Sequence, residues 1–217
     1  MKHTEKILVA KRDSVVNHIP VILNAAQTMD TDSNPTKVLT DIDFQWMVRK
    51  DAEVDPDYKQ IIPYIVVVKH TDEGRKFLTY SREKGSGEER LLGSRSLGFG
   101  GHIDIDQEIN TRLDKQGMLN AFNLLCLSAD RELNEEIGLS DGDYAMKSLI
   151  GFVNNDGDDV GSVHLGVVMQ CMVMSDWNPE QREDGVADLR WQSLEEIQAT
   201  VESYEVWSQL IATKFYF

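Results

Sequence analysis

The segment Arg131-Glu132-Leu133-Asn134-Glu135-Glu136-Ile137-Gly138-Leu139 decides how the rest of the chain is interpreted. It ends a stretch, residues 118–137, in which apolar residues recur at spacings of three and four and so form one stripe along a helix. The residues of this stripe are Phe122, Leu125, Cys126, Ala129, Leu133 and Ile137. Gly138 follows at once and is placed to end the helix as a C-cap.

Three carboxylates share one face of this helix, roughly a quarter-turn round from the apolar stripe. Glu132, Glu135 and Glu136 are three and four residues apart, and like charges at that spacing weaken a helix. Local stability therefore gives no reason for them. Binding of Mg²⁺ would explain the three glutamates, because this ion takes oxygen ligands, typically one or two carboxylates together with substrate phosphates. A solvated acidic helix end is the alternative interpretation of the same residues.

The order of residue types is more specific than the three glutamates alone. Residues 131–139 fit Arg-Glu-apolar-any-Glu-Glu-any-Gly-apolar, and this pattern resembles the second half of the Nudix box, so the chain resembles the Nudix hydrolases. The resemblance covers about residues 60–217 and includes Gly100-Gly101 before the helix and Leu189-Arg190-Trp191 before a closing helix. Four segments look like a subgroup of predicted MutT-like, Nudix-type phosphoesterases: Ile62-Pro63-Tyr64, Glu89-Arg90-Leu91, Ser96-Leu97-Gly98-Phe99-Gly100-Gly101-His102-Ile103 and Val163-His164-Leu165-Gly166.

The first half of the box departs from the family pattern. Counting back from Arg131, the glycine position falls on Gly117, but Asn123 stands where the pattern has a glutamate. We therefore interpret Gly100-Gly101 as the end of a strand and residues 103–116 as an inserted loop. The half of the box that would bind metal is intact.

The remaining pattern predicts an α+β fold. Strands are expected at residues 64–68, 76–80, 96–103, 147–153, 161–173 and 187–191, and helices at residues 194–201 and 204–214. A mixture without a regular βαβ repeat favours a mixed or antiparallel sheet, and the resemblance implies a Nudix-like α/β/α sandwich. We assign residues 61–217 to this domain and residues 1–60 to an N-terminal extension packed on it.

The composition limits the classes of partner. The 217 residues include 22 Lys or Arg and 37 Asp or Glu, which gives a formal net charge of -15. General nucleic-acid binding is not expected, because it requires a basic footprint. No apolar run approaches the length of a membrane span, and the apolar block at residues 7–10 is too short for a signal peptide. Cys126 and Cys171 lie in apolar runs and indicate reduced thiols, so we expect a soluble, cytoplasmic protein.

The resemblance also implies a reaction. A small molecule with a nucleoside-diphosphate-type linkage would be cleaved at its phosphoric anhydride bond, with Mg²⁺ or Mn²⁺ held by Glu132, Glu135 and Glu136. Water, activated by a carboxylate or by the metal, would attack one phosphorus. Arg131 would orient Glu135 at i+4, and the general base would be a helix glutamate or Glu183. Homodimers are frequent in the family, although no periodicity in this sequence establishes one.

Six further residues are candidates for contact with the substrate: Gly100, Gly101, His102, Arg82, Arg90 and His164. Glycines in a strand permit the close approach of a ligand. His102 follows the glycine pair, and a structural hydrogen bond is its alternative role. His164 alternates with two apolar residues and so faces the opposite side of its strand. Arg82 and Arg90 flank the glycine-rich strand, where solvated loop charges are the alternative. The acidic turn Asp156, Asp158 and Asp159 is expected to be exposed.

Two other functions compete with hydrolysis. A nucleotide sensor that binds without cleaving would tend to lose glutamates of the box, but all three of the helix glutamates are present. An isomerase on the same fold would require a catalytic cysteine, whereas Cys126 lies on the apolar stripe and Cys171 inside a predicted strand. The sequence does not name the substrate, because specificity resides in loops grafted on the fold, here residues 1–60 and 103–116.

Overall fold

A computed structural model describes residues 5–19, 25–28, 35–83, 93–105 and 121–214, with residues 25–28, 35 and 36 described in their backbone alone. The strands are β1 (Lys6–Lys11), β2 (Ala25–Thr28), β3 (Phe44–Val48), β4 (Tyr58–Thr71), β5 (Gly74–Arg82), β6 (Arg95–Ser96), β7 (Gly98–Phe99), β8 (Tyr144–Asn154), β9 (His164–Val173) and β10 (Val186–Gln192). The helices are α1 (Arg12–His18), α2 (Pro35–Thr40), α3 (Arg49–Ala52), α4 (Ala121–Ile137), α5 (Asp159–Ser162), α6 (Leu194–Ala199) and α7 (Val206–Lys214), with a 3₁₀ turn at Val201–Ser203.

The strands form one mixed sheet with the order β10-β5-β4-β9-β8-β2. Strands β4 and β9 are parallel, whereas the other neighbours along this path are antiparallel. Strand β1 pairs antiparallel with both β3 and β4 and so joins the N-terminal residues to the same sheet. The predicted α+β class with a mixed sheet is confirmed.

Helices cover both faces of the sheet, because the alternating side chains of β4 enter two separate cores. One core contains Ile61, Ile65 and Val67 of β4 together with Leu125, Ala129 and Leu133 of α4. The other contains Tyr64, Val66 and Val68 of β4 together with Ile197 of α6 and Ile211 of α7. The layers are therefore those of an α/β/α sandwich.

The decisive helix forms where the sequence places it. It ends at Ile137, as predicted. Gly138 adopts a φ of 75°, a left-handed conformation that favours glycine, and its N–H donates to the Asn134 carbonyl at 3.1 Å. Residues 118–120, where the prediction begins, lie outside the described residues. Within the described part of the chain, no helix is long and apolar enough to cross a membrane.

One predicted strand is wrong at its start. Residues 161 and 162 belong to α5, and β9 begins only at His164. The reason is a cap: the Asp158 carboxylate accepts a hydrogen bond from the Gly161 N–H at 2.7 Å and so begins a helical turn. Of the predicted loop at residues 103–116, only residues 103–105 are described.

An interruption along one edge of β4 positions the site. Strand β1 pairs with residues 58–60 of β4, and β7 pairs with Ile65 and Val66 on the same edge, opposite β9. Among the described residues, no strand pairs with residues 61–64 on that edge. Pro63 lies in this gap, which suits it because proline has no N–H to donate to a neighbouring strand. Here the sheet opens and leaves room for a cavity.

The N-terminal residues take part in the core. Ile7, Leu8, Val9 and Ala10 of β1 are all buried, and the Leu8 N–H donates to the Ile103 carbonyl at 3.0 Å. Strand β4 begins at Tyr58, so it crosses the boundary drawn from the sequence at residue 60. The division into residues 1–60 and 61–217 stays a proposal.

Candidate active site

A cavity of about 630 Å³ lies at the gap in the edge of β4. Every predicted site residue that the structure describes lines it: Arg82, Gly100, Gly101, His102, Arg131, Glu132, Glu135, Glu136, His164 and Glu183. Arg90 lies outside the described residues. Asn123, which replaces the first glutamate of the box, is exposed on α4 and is not among the residues that line the cavity. Residues from distant parts of the chain thus meet around one space.

Arg131 ties the acidic face of α4 to the strand end before it. Its guanidinium lies 2.9 Å from a carboxylate oxygen of Glu132 and 3.0 Å from one of Glu135. It also donates to the backbone carbonyl of His102 at 3.1 Å. The contact with Glu135 that the i+4 spacing predicted is present, and Arg131 additionally neutralises part of the repulsion between the two carboxylates.

The Glu132 carboxylate lies directly over Gly101. A Cβ atom on Gly101 would be 2.3 Å from the nearest Glu132 oxygen, which is closer than any such contact allows. A larger residue at position 101 would therefore displace the Glu132 carboxylate from this position. Burial raises the pKa of Glu132, and the negative charges of Glu135 and Glu183 raise it further, whereas Arg131 lowers it.

Glu136 is the most enclosed acid of the helix, with 8% of its surface exposed. Its Oε2 atom is buried and has no hydrogen-bond partner among the described residues. Burial raises the pKa of Glu136 well above its ordinary range, and the charge of Glu132 raises it further, opposed by Arg82. A buried carboxylate oxygen without a partner is costly, so binding of a proton or a cation at Glu136 would be favourable.

Glu183 belongs to the loop before β10 and is exposed. Its charge raises the pKa values of both Glu132 and Glu136, which places its carboxylate within electrostatic reach of the helix acids. The structure therefore brings an acid from outside the helix to the same wall of the cavity. We name Glu132, Glu135, Glu136 and Glu183 together the acidic wall.

The acidic wall fits a hard divalent cation in its chemistry, because it offers carboxylate oxygens and one of them lacks a partner. Among the described residues, however, no three His, Cys, Asp or Glu side chains are already arranged as a metal site. Arg131 occupies Glu132 and Glu135 instead. The donor set thus suits a hard divalent cation, and Glu132 and Glu135 would exchange their contacts with Arg131 for contacts with the ion.

Comparison with known proteins places the chain in a family. It is 32% identical over 214 residues to Protein YmaB of Bacillus subtilis (strain 168), covering 97% of each chain. The crystal structure of Tm1382, described as a candidate Nudix hydrolase, superposes with a TM-score of 0.66 over 96% of both chains at 22% identity. The chain belongs to the YmaB family and has the Nudix fold.

A second solved structure is less similar to the chain. The NUDIX domain of Shewanella oneidensis NrtR, solved with ADP ribose, has a TM-score of 0.46 and 20% identity, over 64% of this chain and 75% of that one. No family model matches the chain. The superposition on Tm1382 confirms, at the level of the fold, the Nudix likeness inferred from residues 131–139, and it extends over the N-terminal residues as well.

Two histidines that line the cavity lie close to each other. The Nε2 atoms of His102 and His164 are 3.4 Å apart. His164 Nδ1 lies 2.6 Å from the carbonyl of Val160, which can only accept, so Nδ1 carries the proton and Nε2 a lone pair. His102 Nε2 lies 2.8 Å from Gln60 Oε1 and therefore donates. His102 makes the structural hydrogen bond that was its alternative role, and it also lines the cavity, where its contact with the substrate stays a prediction.

A buried ion cluster supports the turn behind these histidines. Lys59, with 2% of its side chain exposed, donates to Asn154 at 2.7 Å and to the Gly161 carbonyl at 2.9 Å, and pairs with Asp156. Arg12 lies 2.9 Å from the second Asp156 oxygen. Burial lowers the pKa of Lys59 to about 8, although Asp156 opposes that shift. The expectation of an exposed turn is therefore wrong for Asp156 and correct for Asp158 and Asp159.

Sequence reasoning missed several residues that line the cavity of this Nudix fold. Among them are Glu5, Arg49, Asp104 and Glu205. Glu205 is buried and accepts from the Tyr64 hydroxyl at 2.7 Å and from the Trp207 N–H at 2.7 Å, which fixes the start of α7 at the cavity. No local pattern marks Glu5 or Arg49.

Proposed function

We propose that this member of the YmaB family is a divalent-cation-dependent pyrophosphohydrolase. It would cleave a diphosphate linkage in a small molecule of the nucleoside-diphosphate type by attack of water at phosphorus. The observation that carries the proposal is the acidic wall: Glu132, Glu135 and Glu136 line one cavity, and an oxygen of Glu136 is buried without a partner in the described residues. An acidic protein that holds a polyphosphate needs such a place for a cation.

Each residue of the wall has a proposed role. Glu132, Glu135 and Glu136 would hold Mg²⁺ or Mn²⁺, which would stabilise negative charge on the phosphate that leaves. Arg131 orients Glu132 and Glu135 through its contacts at 2.9 and 3.0 Å. Glu183, the exposed acid, takes the proton of the attacking water as general base.

Other residues of the cavity bind the substrate in this proposal. Gly100 and Gly101 line the cavity at the strand end, and Arg82 contributes positive charge close to Glu136. His102 and His164 provide polar contacts, and Arg90 is proposed from its sequence position alone. Because Cys126 and Cys171 are free thiols, a reducing compartment such as the cytoplasm is the proposed location.

The test is product release from a panel of nucleoside triphosphates, nucleotide sugars, dinucleoside polyphosphates and NAD- and CoA-type compounds, each with Mg²⁺ or Mn²⁺. Wild type is compared with Glu135→Gln and with Glu202→Gln, a matched control at an exposed position away from the cavity. We expect metal-dependent turnover of one compound or compound class, and a loss of at least about a hundredfold in Glu135→Gln alone. Tight metal-dependent binding without turnover would instead establish a nucleotide sensor.

A further inference from the structure

The cavity has a second charged corner, supplied by the N-terminal residues. Arg49 begins α3 directly after β3 and lines the cavity. Its side chain is 17% exposed, so its charge is partly withdrawn from water. Nothing in the proposed reaction uses this guanidinium, because the diphosphate and its cation lie at the acidic wall.

Two carboxylates hold Arg49 in place. Its Nε donates to Glu53 at 3.1 Å, and a terminal nitrogen lies 3.5 Å from Glu5. The Arg49 N–H also donates to the Glu5 carbonyl at 2.8 Å, which fixes the backbone. A guanidinium carries five N–H donors in a rigid fork, and these two side chains are its partners among the described residues. Donors therefore stay available on a side chain whose position is already set.

The surroundings of Arg49 differ from those of the other two guanidiniums in the cavity. Arg131 pairs with Glu132 and Glu135, and Arg82 acts on Glu136. Arg49 instead lies within electrostatic reach of His164, whose pKa is lowered first by burial and further by the charges of Lys59 and Arg49. The carboxylates that contact Arg49 are Glu5 and Glu53, and its described ion pairs include none of the helix glutamates.

We propose that Arg49 binds a second anionic group of the substrate, a phosphomonoester separate from the diphosphate that is cleaved. This inference rests on the proposed function and narrows its substrate class to nucleoside-diphosphate derivatives with an additional phosphate. A phosphate that is not shielded by a cation is repelled by the acidic wall. Glu5 and Glu53 offset the charge of Arg49, but their contacts leave some of its guanidinium donors for a phosphate oxygen. The planar guanidinium fork is suited to binding phosphate oxygens in pairs.

The experiment uses two pairs of compounds whose members differ by one phosphomonoester: NADP⁺ with NAD⁺, and coenzyme A with dephospho-coenzyme A. Dissociation constants and kcat/KM are measured for wild type, Arg49→Gln, Arg49→Lys and Arg75→Gln, the last a control at an exposed position of β5 outside the cavity. We expect wild type and Arg75→Gln to prefer the phosphorylated member of at least one pair by roughly tenfold to a hundredfold. Arg49→Gln loses this preference, and Arg49→Lys retains a part of it.

A second variant keeps the test decisive if Arg49→Gln fails to fold. Glu53→Gln removes the carboxylate at 3.1 Å from Arg49 and leaves the guanidinium less neutralised, so the preference should increase. Equal preference in wild type, Arg49→Gln and Glu53→Gln overturns the inference, as does a wild-type preference for the unphosphorylated members.

The two proposals fail in distinguishable ways. A binding preference that depends on Arg49, in a protein that hydrolyses nothing, supports the phosphomonoester site and contradicts the hydrolase. Hydrolysis of a compound outside both pairs, with no binding of either pair, overturns the phosphomonoester site and leaves the hydrolase standing.

Discussion

The acidic wall and the Arg49 corner, which consists of Arg49 with Glu5 and Glu53, lie at the same cavity, but their residues come together in different ways. Glu132, Glu135 and Glu136 lie within five consecutive residues, and the geometry of one helix places them together. Glu5 and Arg49 are far apart in sequence and meet because β1 and β3 pair in antiparallel register, with Lys6 opposite Val48. The comparison teaches that local helix geometry is enough to bring the three helix glutamates together, whereas Glu183 and the Arg49 side of the cavity join them only through tertiary structure.

The largest effect is expected from Lys59, the buried charge that supports the turn behind His164. Replacing Lys59 by Met leaves Asp156 and Asn154 without their buried partner. Breaking one side of a buried ion pair costs about 3–5 kcal/mol, and we expect that loss in the free energy of unfolding, measured with urea. Because Lys59 also holds the Gly161 carbonyl, the turn that positions His164 should loosen as well.

The matched control for this variant is Lys50→Met. Lys50 is exposed on α3, in the same N-terminal region, and a surface change of this kind stays within about 0.5 kcal/mol. If both methionine variants unfold at the same urea concentration as wild type, the cluster around Lys59 does not stabilise this side of the cavity, and the contrast between the two regions loses its physical basis.

The next prediction tests the acidic wall through the close approach of Gly101 to Glu132. In Gly101→Ala, the new Cβ collides with the Glu132 carboxylate, which must move because the flexible side chain is the easier partner to displace. We expect kcat/KM to fall by about tenfold to a hundredfold, the range for losing support of a metal ligand, with little change in the free energy of unfolding.

A double-mutant cycle provides the control for the glycine. If Gly101 acts only through Glu132, then Gly101→Ala causes no further loss in a Glu132→Gln background, and the two changes are not additive. Full additivity would mean that Gly101 contributes to the site by another route, such as direct contact with the substrate.

The same division explains what the sequence predicts and what it does not. The helix, its acidic face, its end at Gly138 and the mixed α+β class follow from periodicity and composition over short stretches. The start of β9 was misjudged, because the cap of α5 by Asp158 competes with strand propensity. Arg49 and the burial of Asp156 had no local signal, since each depends on a partner more than forty residues away in the chain.

The smallest effect is expected from the enclosed acid of the wall. Glu136→Gln removes a buried carboxylate that lacks a partner for one oxygen, so without metal the variant should be more stable than wild type. About 1–3 kcal/mol is the usual cost of such a group. The gain comes with a loss of activity, because the same oxygen is the proposed ligand of the cation.

The pH dependence of this gain follows from the raised pKa of Glu136, which burial causes first and Glu132 second. The folded wild type keeps a proton at pH values where the unfolded chain has released it, so its stability falls as the pH rises above the ordinary pKa of 4.5. The glutamine variant does not titrate at this position and so lacks this loss of stability at higher pH. The difference in melting temperature, measured in EDTA against Glu202→Gln as control, should therefore be small near about pH 5 and grow toward about pH 8. A difference that stays constant over that range would contradict the burial argument. Addition of Mg²⁺ should raise the melting temperature of wild type and raise that of Glu136→Gln less, since a ligand stabilises only the form that binds it.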